Sequence, residues 1–533
     1  MSAAAMSGLF LGVASRPQKQ SEPACRYLPG DCHWPKDEKW NRLNDTTGGK
    51  LIRSFPLAQA CHMPIFDPGS DICIGVQKQW TSGQTYYENS VHVMSPYWLN
   101  GSCSPFEASN TGCTLGNIAV YALEIDGPAT VKAGLEFARE NNIRLSIKNT
   151  GHDYLGRSSG RGSLALWTHK LKDITFLDYS SPHYSGPALR VGAGIQFSEA
   201  YSAAETHGLR ITGGYCPTVG FAGGYVQHGG HGPLAASYGL AADNALEFEV
   251  VTTDGRHLTA SATENSDLYW ALSGGGPGNY GVVLSLTTKA YADGPTAGAT
   301  LAFINTDPDK YWKAVGAFQS HLLALDEIHG FATSWGLDNQ AFSVDVATLP
   351  NGTQSDIQAA LNPFIKQLEH IGLALAKYNT TLFPSFYSHY KHYEFPPEIY
   401  STNNTLGGCL VPRSTIKNSL PQLIDAFCQI AESPQFPVKR SSGNSVSVSR
   451  QLQQQVNKWQ DLFRPLRPGG GAYASEATFD NPNWKEDYFG RNYDRLLKIK
   501  MKYDPKFALW QHTSVGADAY WKVTEAGRLC RVP

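Results

Sequence analysis

Two side chains able to bond to carbon stand apart, each in its own glycine-rich loop. One is His152, in Lys148-Asn149-Thr150-Gly151-His152-Asp153-Tyr154-Leu155-Gly156-Arg157-Ser158. The other is Cys216, in Gly213-Gly214-Tyr215-Cys216-Pro217-Thr218-Val219-Gly220. Glycine lets a backbone approach a ligand closely, and successive free amide N–H groups form a concave site for an anion such as a diphosphate. From Gly213 to Gly232 eight of the twenty residues are glycine. That density breaks a regular helix or strand and suits backbone that must lie against something.

Other chemistries fit less well. Gly156-Arg157-Ser158-Ser159-Gly160 has the G-x-S-x-G form of a hydrolase elbow. That elbow needs a helix after the serine, whereas here a strand-like segment follows. Gly230-His231-Gly232-Pro233-Leu234-Ala235 meets a loose dinucleotide fingerprint, but no alternating strand precedes it and a proline interrupts it. His228 and His231 have no carboxylate or cysteine at regular spacing to complete a metal site, so they read as polar residues of a glycine loop.

The elements that hold these loops follow from periodicity. Asn142 to Ile147 alternates as a half-buried strand and Ser163 to Trp167 begins another, so the His152 loop joins two strands. Ala129 to Asn142, with Pro128 before it, is an amphipathic helix. Ala188 to Ala193 is strand-like, and Ser198 to His207 is a short helix with Ser198 as N-cap and Gly208 beyond its end. Glu247 to Thr252 and Arg256 to Ala260 form a hairpin around Asp254-Gly255. Asp267 to Leu272 is a helical turn and Val282 to Lys289 a strand. Beyond about 295 glycine thins out. Strands (Thr300 to Ile304, Ala341 to Ala347) mix with amphipathic helices (Ile357 to Ile371, Ser419 to Ile430), the pattern of an antiparallel sheet with helices on one face. A final helix, Arg491 to Lys500, carries Leu496, Leu497 and Ile499 on an apolar side that packs back on the first domain.

The totals bound the function. The 533 residues are 41% apolar and 17% charged, with a net charge of -2. A large core and more than one domain are expected, and a broad nucleic-acid footprint is excluded. No run approaches the roughly 18 apolar residues of a membrane helix. Met6 to Ala14 is apolar enough for a signal-peptide core, though no basic residue precedes it. Asn-X-Ser/Thr acceptors occur at Asn44, Asn100, Asn351, Asn379 and Asn403. Cysteines cluster early as Cys25/Cys32, Cys61/Cys73 and Cys103/Cys113, close enough to close short loops. Both signals point to secretion as a glycoprotein with disulfides. Of ten cysteines, one used elsewhere leaves an odd thiol.

Taken together, His152 and Cys216 carry a resemblance. Thr150-Gly151-His152, Tyr215-Cys216-Pro217-Thr218-Val219-Gly220 and Asn492-Tyr493-Asp494-Arg495-Leu496 resemble the motifs of FAD-linked oxidases with the vanillyl-alcohol-oxidase-type (PCMH-type) flavin fold. The branch is that of the berberine-bridge-enzyme-like proteins, near fungal isoamyl alcohol oxidases. The likeness spans about 115 to 290 and about 470 to 515. Thr150 replaces the first glycine of the family's Gly-Gly-His, and Tyr225 stands where the family often has histidine.

The resemblance implies an α+β protein. A lead-in (1–115) joins a two-subdomain FAD-binding domain (116–294). An antiparallel-sheet substrate domain covered by helices (295–465) and a C-terminal return (466–533) follow. It implies FAD bonded through His152 to the 8α carbon and through Cys216 to carbon 6. Cofactor contacts then fall on Asn149, Thr150, Gly151, His152, Asp153, Gly156 and Ser158. A second group is Gly214, Cys216, Thr218, Val219, Gly220, Gly223 and Gly224, followed by Gly281, Val282, Asn492 and Tyr493. Tyr473 and Glu476 are the candidate bases, and a tyrosine needs a lowered pKa for that work. The expected activity is oxidation of an alcohol, or of a C–H or C–N centre, with oxygen as acceptor and hydrogen peroxide as product. An oxidative cyclase of secondary metabolism, or a flavin protein with non-redox or lost activity, is the alternative. Partners are a small molecule and O2, without nucleic acid or membrane, in a monomer or weak homodimer.

Overall fold

A computed structural model describes residues 24–62, 70–94, 102–393, 405–436 and 446–532. The apolar run at Met6 to Ala14 and the acceptors Asn100 and Asn403 lie outside the described residues.

Four strands frame the His152 loop. They are β1 (Leu51–Arg53), β2 (Tyr121–Glu124), β3 (Arg144–Lys148) and β4 (Ser163–Trp167), in the order β1-β2-β4-β3. β4 runs parallel to both β2 and β3. All five β4 side chains are buried, which explains its apolar run without alternation. The helix Pro128–Glu140 crosses from β2 to β3, with Pro128 in its first turn and Val131, Leu135 and Ala138 facing the sheet.

A second layer follows from β5 (Ile174–Ser181), β6 (Tyr184–Gly192), the short β7 (Leu209–Arg210), β8 (Ala245–Val251), β9 (His257–Ser261), β10 (Val282–Lys289) and β11 (Tyr291–Ala292). Five of them form an antiparallel sheet in the order β5-β6-β10-β8-β9, and β7 pairs with β11. The third sheet holds β12 (Thr296–Ile304), β13 (Ala332–Leu337), β14 (Ala341–Pro350) and β15 (Leu375–Phe383), ordered β13-β14-β12-β15 and antiparallel throughout. The helices Pro308–Leu325 and Gln354–Ile371 cover it around Phe303, Phe318, Phe342 and Phe364. The expected α+β class, with an antiparallel sheet covered by helices, is what the molecule has.

The helix Phe386–Tyr393 packs from this third sheet onto the middle of the molecule. Tyr390 stacks edge-on against Tyr201 and its hydroxyl donates to the Tyr215 carbonyl at 2.9 Å. The helix Tyr493–Tyr503 returns Leu496, Ile499 and Tyr503 to the core built on β6, β8 and β10.

Several sequence expectations need correction. The lead-in is not merely irregular. It contains the helices Asp37–Thr46, which buries Trp40 and Leu43, and Asp71–Gln79, capped by Ser70. Each is short and buries one or two residues, too few to leave a periodic signal. The helix expected to be capped by Ser198 begins earlier, at Phe197. Its N-cap is Gln196, whose backbone N–H donates to Glu199 at 2.8 Å in a capping box. Cys61–Cys73 and Cys103–Cys113 are disulfides. Cys25, however, is bonded to Cys530 across 505 residues, and Cys32 is an exposed thiol. Main-chain bonds from Arg26 N to Leu529 O and from Arg531 N to Ala24 O flank that bridge, closing the chain near its ends on the strands β16 (Trp521–Val523) and β17 (Leu529–Arg531). Of the described acceptor asparagines, Asn44 and Asn351 accept internal hydrogen bonds, from Leu51 N and from Arg210, while Asn379 is exposed on β15.

Candidate functional site

The loop after β3 is rigid for local reasons. Asp153 accepts from Leu155 N and Ser158 N (3.2 and 2.5 Å), folding 153–158 into a closed turn. Gly151 sits at φ +89°, and a Cβ there would lie 2.9 Å from the Lys148 side chain. Asn149 donates to the Ala193 carbonyl. The glycine density of 213–232 has the same origin. A Cβ on Gly232 would fall 1.7 Å from the Gly213 carbonyl oxygen, and one on Gly220 would meet Asn149 at 2.8 Å. These two loops line one cavity, together with Pro277, Gly278, Gly281 and Val283 and with Tyr473 to Glu476.

At one wall His152 and Cys216 stand together. His152 Nε2 lies 2.8 Å from Thr218 Oγ1 and 3.9 Å from Cys216 Sγ, and the Tyr87 ring stacks on the imidazole at 4.0 Å and 21°. Burial, and secondarily the Lys148 charge, pushes the His152 pKa down to about 3. The ring is therefore neutral at physiological pH, with one nitrogen unprotonated. Cys216 is buried and forms no disulfide.

Elsewhere on the cavity the C-terminal return meets the glycine loop. The Tyr473 hydroxyl donates to the Tyr225 carbonyl at 3.2 Å, and burial together with the Glu476 charge raises its pKa. His231 Nε2 lies 3.2 and 3.1 Å from the two Glu476 oxygens, and the Glu476 bond raises the pKa of this half-exposed imidazole. Arg157 donates to His228 Nε2 at 3.0 Å, so His228 carries its proton on Nδ1, 2.8 Å from Ser475 Oγ. Burial and Arg157 hold His228 neutral.

Most of the expected contacts converge on this cavity: Asn149, Thr150, Gly151, His152, Asp153, Ser158, Gly214, Cys216, Val219, Gly220, Gly223, Gly224, Gly281, Tyr473 and Glu476. Thr218 reaches it through His152. Four do not. Gly156 is a turn residue at φ +73° away from the wall. Val282 points into the core of the first sheet, and its neighbour Val283 lines the cavity, because side chains alternate along β10. Asn492 is exposed, and Tyr493 is turned towards Asp518 and Gly516 N. Sequence reasoning missed Tyr87, Gln227 and Gln511. No motif marks them, and they arrive from the lead-in, the glycine loop and the C-terminus.

The cavity lining suits a ligand that is partly apolar and partly polar. Its wall is apolar at Ile147, Leu155, Phe197, Ala222 and Val283. Along it, Asn149 Oδ1, Gln227 Oε1 and Gln511 Oε1 are buried acceptors without a hydrogen-bond partner among the described residues. Such acceptors await N–H or O–H donors, which the isoalloxazine and ribityl parts of FAD possess. Among the described residues no group of His, Cys, Asp and Glu could hold a metal.

Comparison with known proteins agrees. The family described as FAD binding domain matches residues 121–261, and that described as berberine and berberine like matches 472–516. An FAD-linked oxidoreductase, patO, of Penicillium expansum is 38% identical over 95% of this chain and 94% of its own. A VAO-type flavoprotein oxidase, VAO615, of Thermothelomyces thermophilus is 37% identical over 99% of this chain and 98% of its own. The crystal structure of the VAO-type flavoprotein MtVAO615 from Myceliophthora thermophila C1 superposes with a TM-score of 0.90 at 36% identity, covering 95% of this chain and all of that one. With the glycine cradle, the matched segments and relatives similar over nearly the whole length, the chain belongs to the FAD-linked oxidoreductases of the VAO type, in their berberine-bridge-enzyme-like branch.

Proposed function

We propose that the protein is an oxidase whose FAD is bonded to both His152 and Cys216. It oxidises an alcohol, or a C–H or C–N centre of a small molecule, and passes the electrons to O2 to give hydrogen peroxide. The observation that carries this reading is the neutral His152 imidazole lying 3.9 Å from the Cys216 thiol on one wall of the cavity. Two nucleophiles so close suit a ring carbon and a methyl carbon carried by the same benzenoid ring of the flavin.

FAD, when bound, supplies a two-electron acceptor to which the substrate gives a hydride. The chain does the rest. Asn149, Gln227 and Gln511 accept hydrogen bonds from the cofactor. Thr150, Gly151, Gly214, Val219, Gly220, Gly223, Gly224 and Gly281 bring backbone against it, while Asp153 and Ser158 hold the first loop in shape. Glu476, with His231 against its carboxylate, takes the substrate proton at the more open end of the cavity. Tyr473, with its pKa raised and its one proton given to the Tyr225 carbonyl, holds the C-terminal return against the glycine loop and so positions Glu476. The three disulfides require an oxidising compartment, which supports a secreted protein.

Acid precipitation of the purified protein, followed by peptide mass mapping, tests the attachment. A yellow pellet with flavin mass on the His152 and Cys216 peptides is expected. A colourless pellet with flavin-free peptides overturns the covalent reading. Anaerobic bleaching of the flavin by one of a panel of primary alcohols, with peroxide formed on admitting air, tests the oxidase reading. Alcohols that bleach it without peroxide formation would make the protein a dehydrogenase.

A further inference from the structure

A lysine is buried behind the attachment wall. Lys148 ends β3 with no exposed surface. Its Nζ donates to the carbonyls of Tyr86 (3.2 Å), Asn89 (2.6 Å) and Thr150 (3.3 Å). Two of these acceptors belong to the lead-in and flank Tyr87, the residue whose ring lies on His152. The third belongs to the His152 loop. Met94 N donates to Gly151 O at 2.9 Å, a second tie between the same two segments. Gly151 is the glycine that gives the lysine stem its room. Sequestering an ammonium from water costs several kcal/mol even after relaxation. Burial pushes the Lys148 pKa down to about 7, against the pull of the Asp153 charge, while the three carbonyl acceptors favour the protonated form. Fixing two chain segments needs no charge, so its presence here calls for a further role.

We infer that Lys148 is a positioning residue for flavin attachment at His152: its ammonium clamps the Tyr86–Asn89 segment to the loop, keeps the Tyr87 ring flat on the imidazole and sets a positive charge beside it. The inference rests on the covalent reading above. In the attachment an N–H of the imidazole and a C–H of the ring methyl are lost and an N–C bond forms. The two protons and two electrons pass to O2, which becomes hydrogen peroxide. The lysine touches none of the reacting atoms. It holds the imidazole at the angle that bonding needs; burial first, and the lysine's charge second, keep the attacking nitrogen unprotonated. The three Lys148 acceptors lie outside the Cys216 loop, which the clamp meets through Tyr87 beside Thr218 and Cys216, so attachment at His152 depends on the lysine more than attachment at Cys216 does.

The test is site-resolved flavin occupancy by peptide mass mapping in wild type, Lys148→Met, Lys148→Arg and Tyr87→Leu, with total FAD measured by absorbance. In Lys148→Met, occupancy at His152 is expected to fall by at least about tenfold while Cys216 occupancy persists, since small misplacement of a reacting group costs rate steeply. Lys148→Arg, which keeps the charge, is expected to recover part of the loss. Equal His152 occupancy in Lys148→Met and wild type overturns the inference, as does a parallel loss at both sites. Should Lys148→Met yield no folded protein, Tyr87→Leu decides, since it leaves the ammonium and its carbonyls in place: a selective loss at His152 supports the clamp, and unchanged occupancy refutes it. Wild type without flavin on His152 would instead refute the covalent reading itself.

Discussion

Replacing Tyr473 by phenylalanine separates two roles for its hydroxyl. The group makes a 3.2 Å hydrogen bond to the Tyr225 carbonyl and sits where burial and Glu476 oppose its ionisation. Both features describe a donor. Removing a neutral hydrogen bond of this kind costs about 1 kcal/mol, and about 1.4 kcal/mol corresponds to a tenfold change in rate. A donor role therefore predicts that Tyr473→Phe slows reduction of the flavin by about fivefold. Loss of a general base would slow it by about 10²–10⁴-fold. The assay is stopped-flow anaerobic bleaching with an alcohol that reduces the wild-type flavin, on protein whose FAD content matches wild type. Glu476→Gln, measured alongside, is expected to fall in the larger range. A loss beyond about a hundredfold in Tyr473→Phe, with Glu476→Gln nearly unaffected, would refute the assignment and return the base to the phenol.

Thr218→Val keeps the shape but removes the 2.8 Å contact to His152 Nε2. It is expected to slow flavin attachment at His152 about fivefold, followed by peptide mapping over time after adding FAD to flavin-free protein. Gly232→Ala places a Cβ 1.7 Å from a backbone oxygen. The expected destabilisation is at or above about 3 kcal/mol, seen as a lowered Tm with loss of bound FAD, and a wild-type Tm would contradict it. Asp487 is a buried carboxylate that holds Arg464 at 3.0 Å, Asn481 at 2.9 Å and the buried Arg467 at 3.5 Å. Asp487→Ala is expected to cost about 3–5 kcal/mol in denaturant unfolding, because it leaves Arg467 buried without its counter-charge. Burial alone would raise the Asp487 pKa, but the Arg464 and Asn481 bonds and both arginine charges bring it below the usual carboxylate value. Its stabilising contribution is therefore complete above about pH 4–5 and fades as the pH falls through the depressed pKa. Asp487→Asn should accordingly flatten the acid side of the Tm-against-pH curve.

Local patterns carried far, and non-local ones did not. β4 and β10 have the bounds that their apolar residues imply, and the hairpin around Asp254-Gly255 is where the turn dipeptide puts it. The glycine density of 213–232 announced a close-packed loop because six of its eight glycines answer a close approach, Gly224 and Gly229 excepted. Missed features depend on partners far along the chain. Val282 and Val283 are alike in type, and only the sheet's pleat decides which faces the cavity. Asn492 and Tyr493 sit in a motif that resembles cofactor-contacting ones, yet the helix they start turns them outward. Tyr87 has no distinguishing neighbour in sequence, and it acquires a role only through the Lys148 bonds.

The bridge from Cys25 to Cys530 has a consequence for biosynthesis. Residue 25 emerges early, and its partner is made 505 residues later. At translation rates of about 5–20 residues per second, that interval is roughly 25–100 s. Throughout it the nascent chain carries a reactive thiol whose nearest companion is Cys32, seven residues away and solvent-exposed in the finished protein. The pairing that spacing suggests is thus also the one the growing chain meets first. A Cys25–Cys32 bridge formed on the way would have to be undone by thiol–disulfide exchange before Cys25 could pair with Cys530. Oxidoreductase supply during expression, more than the stability of any one domain, is the quantity that should govern the yield of active protein.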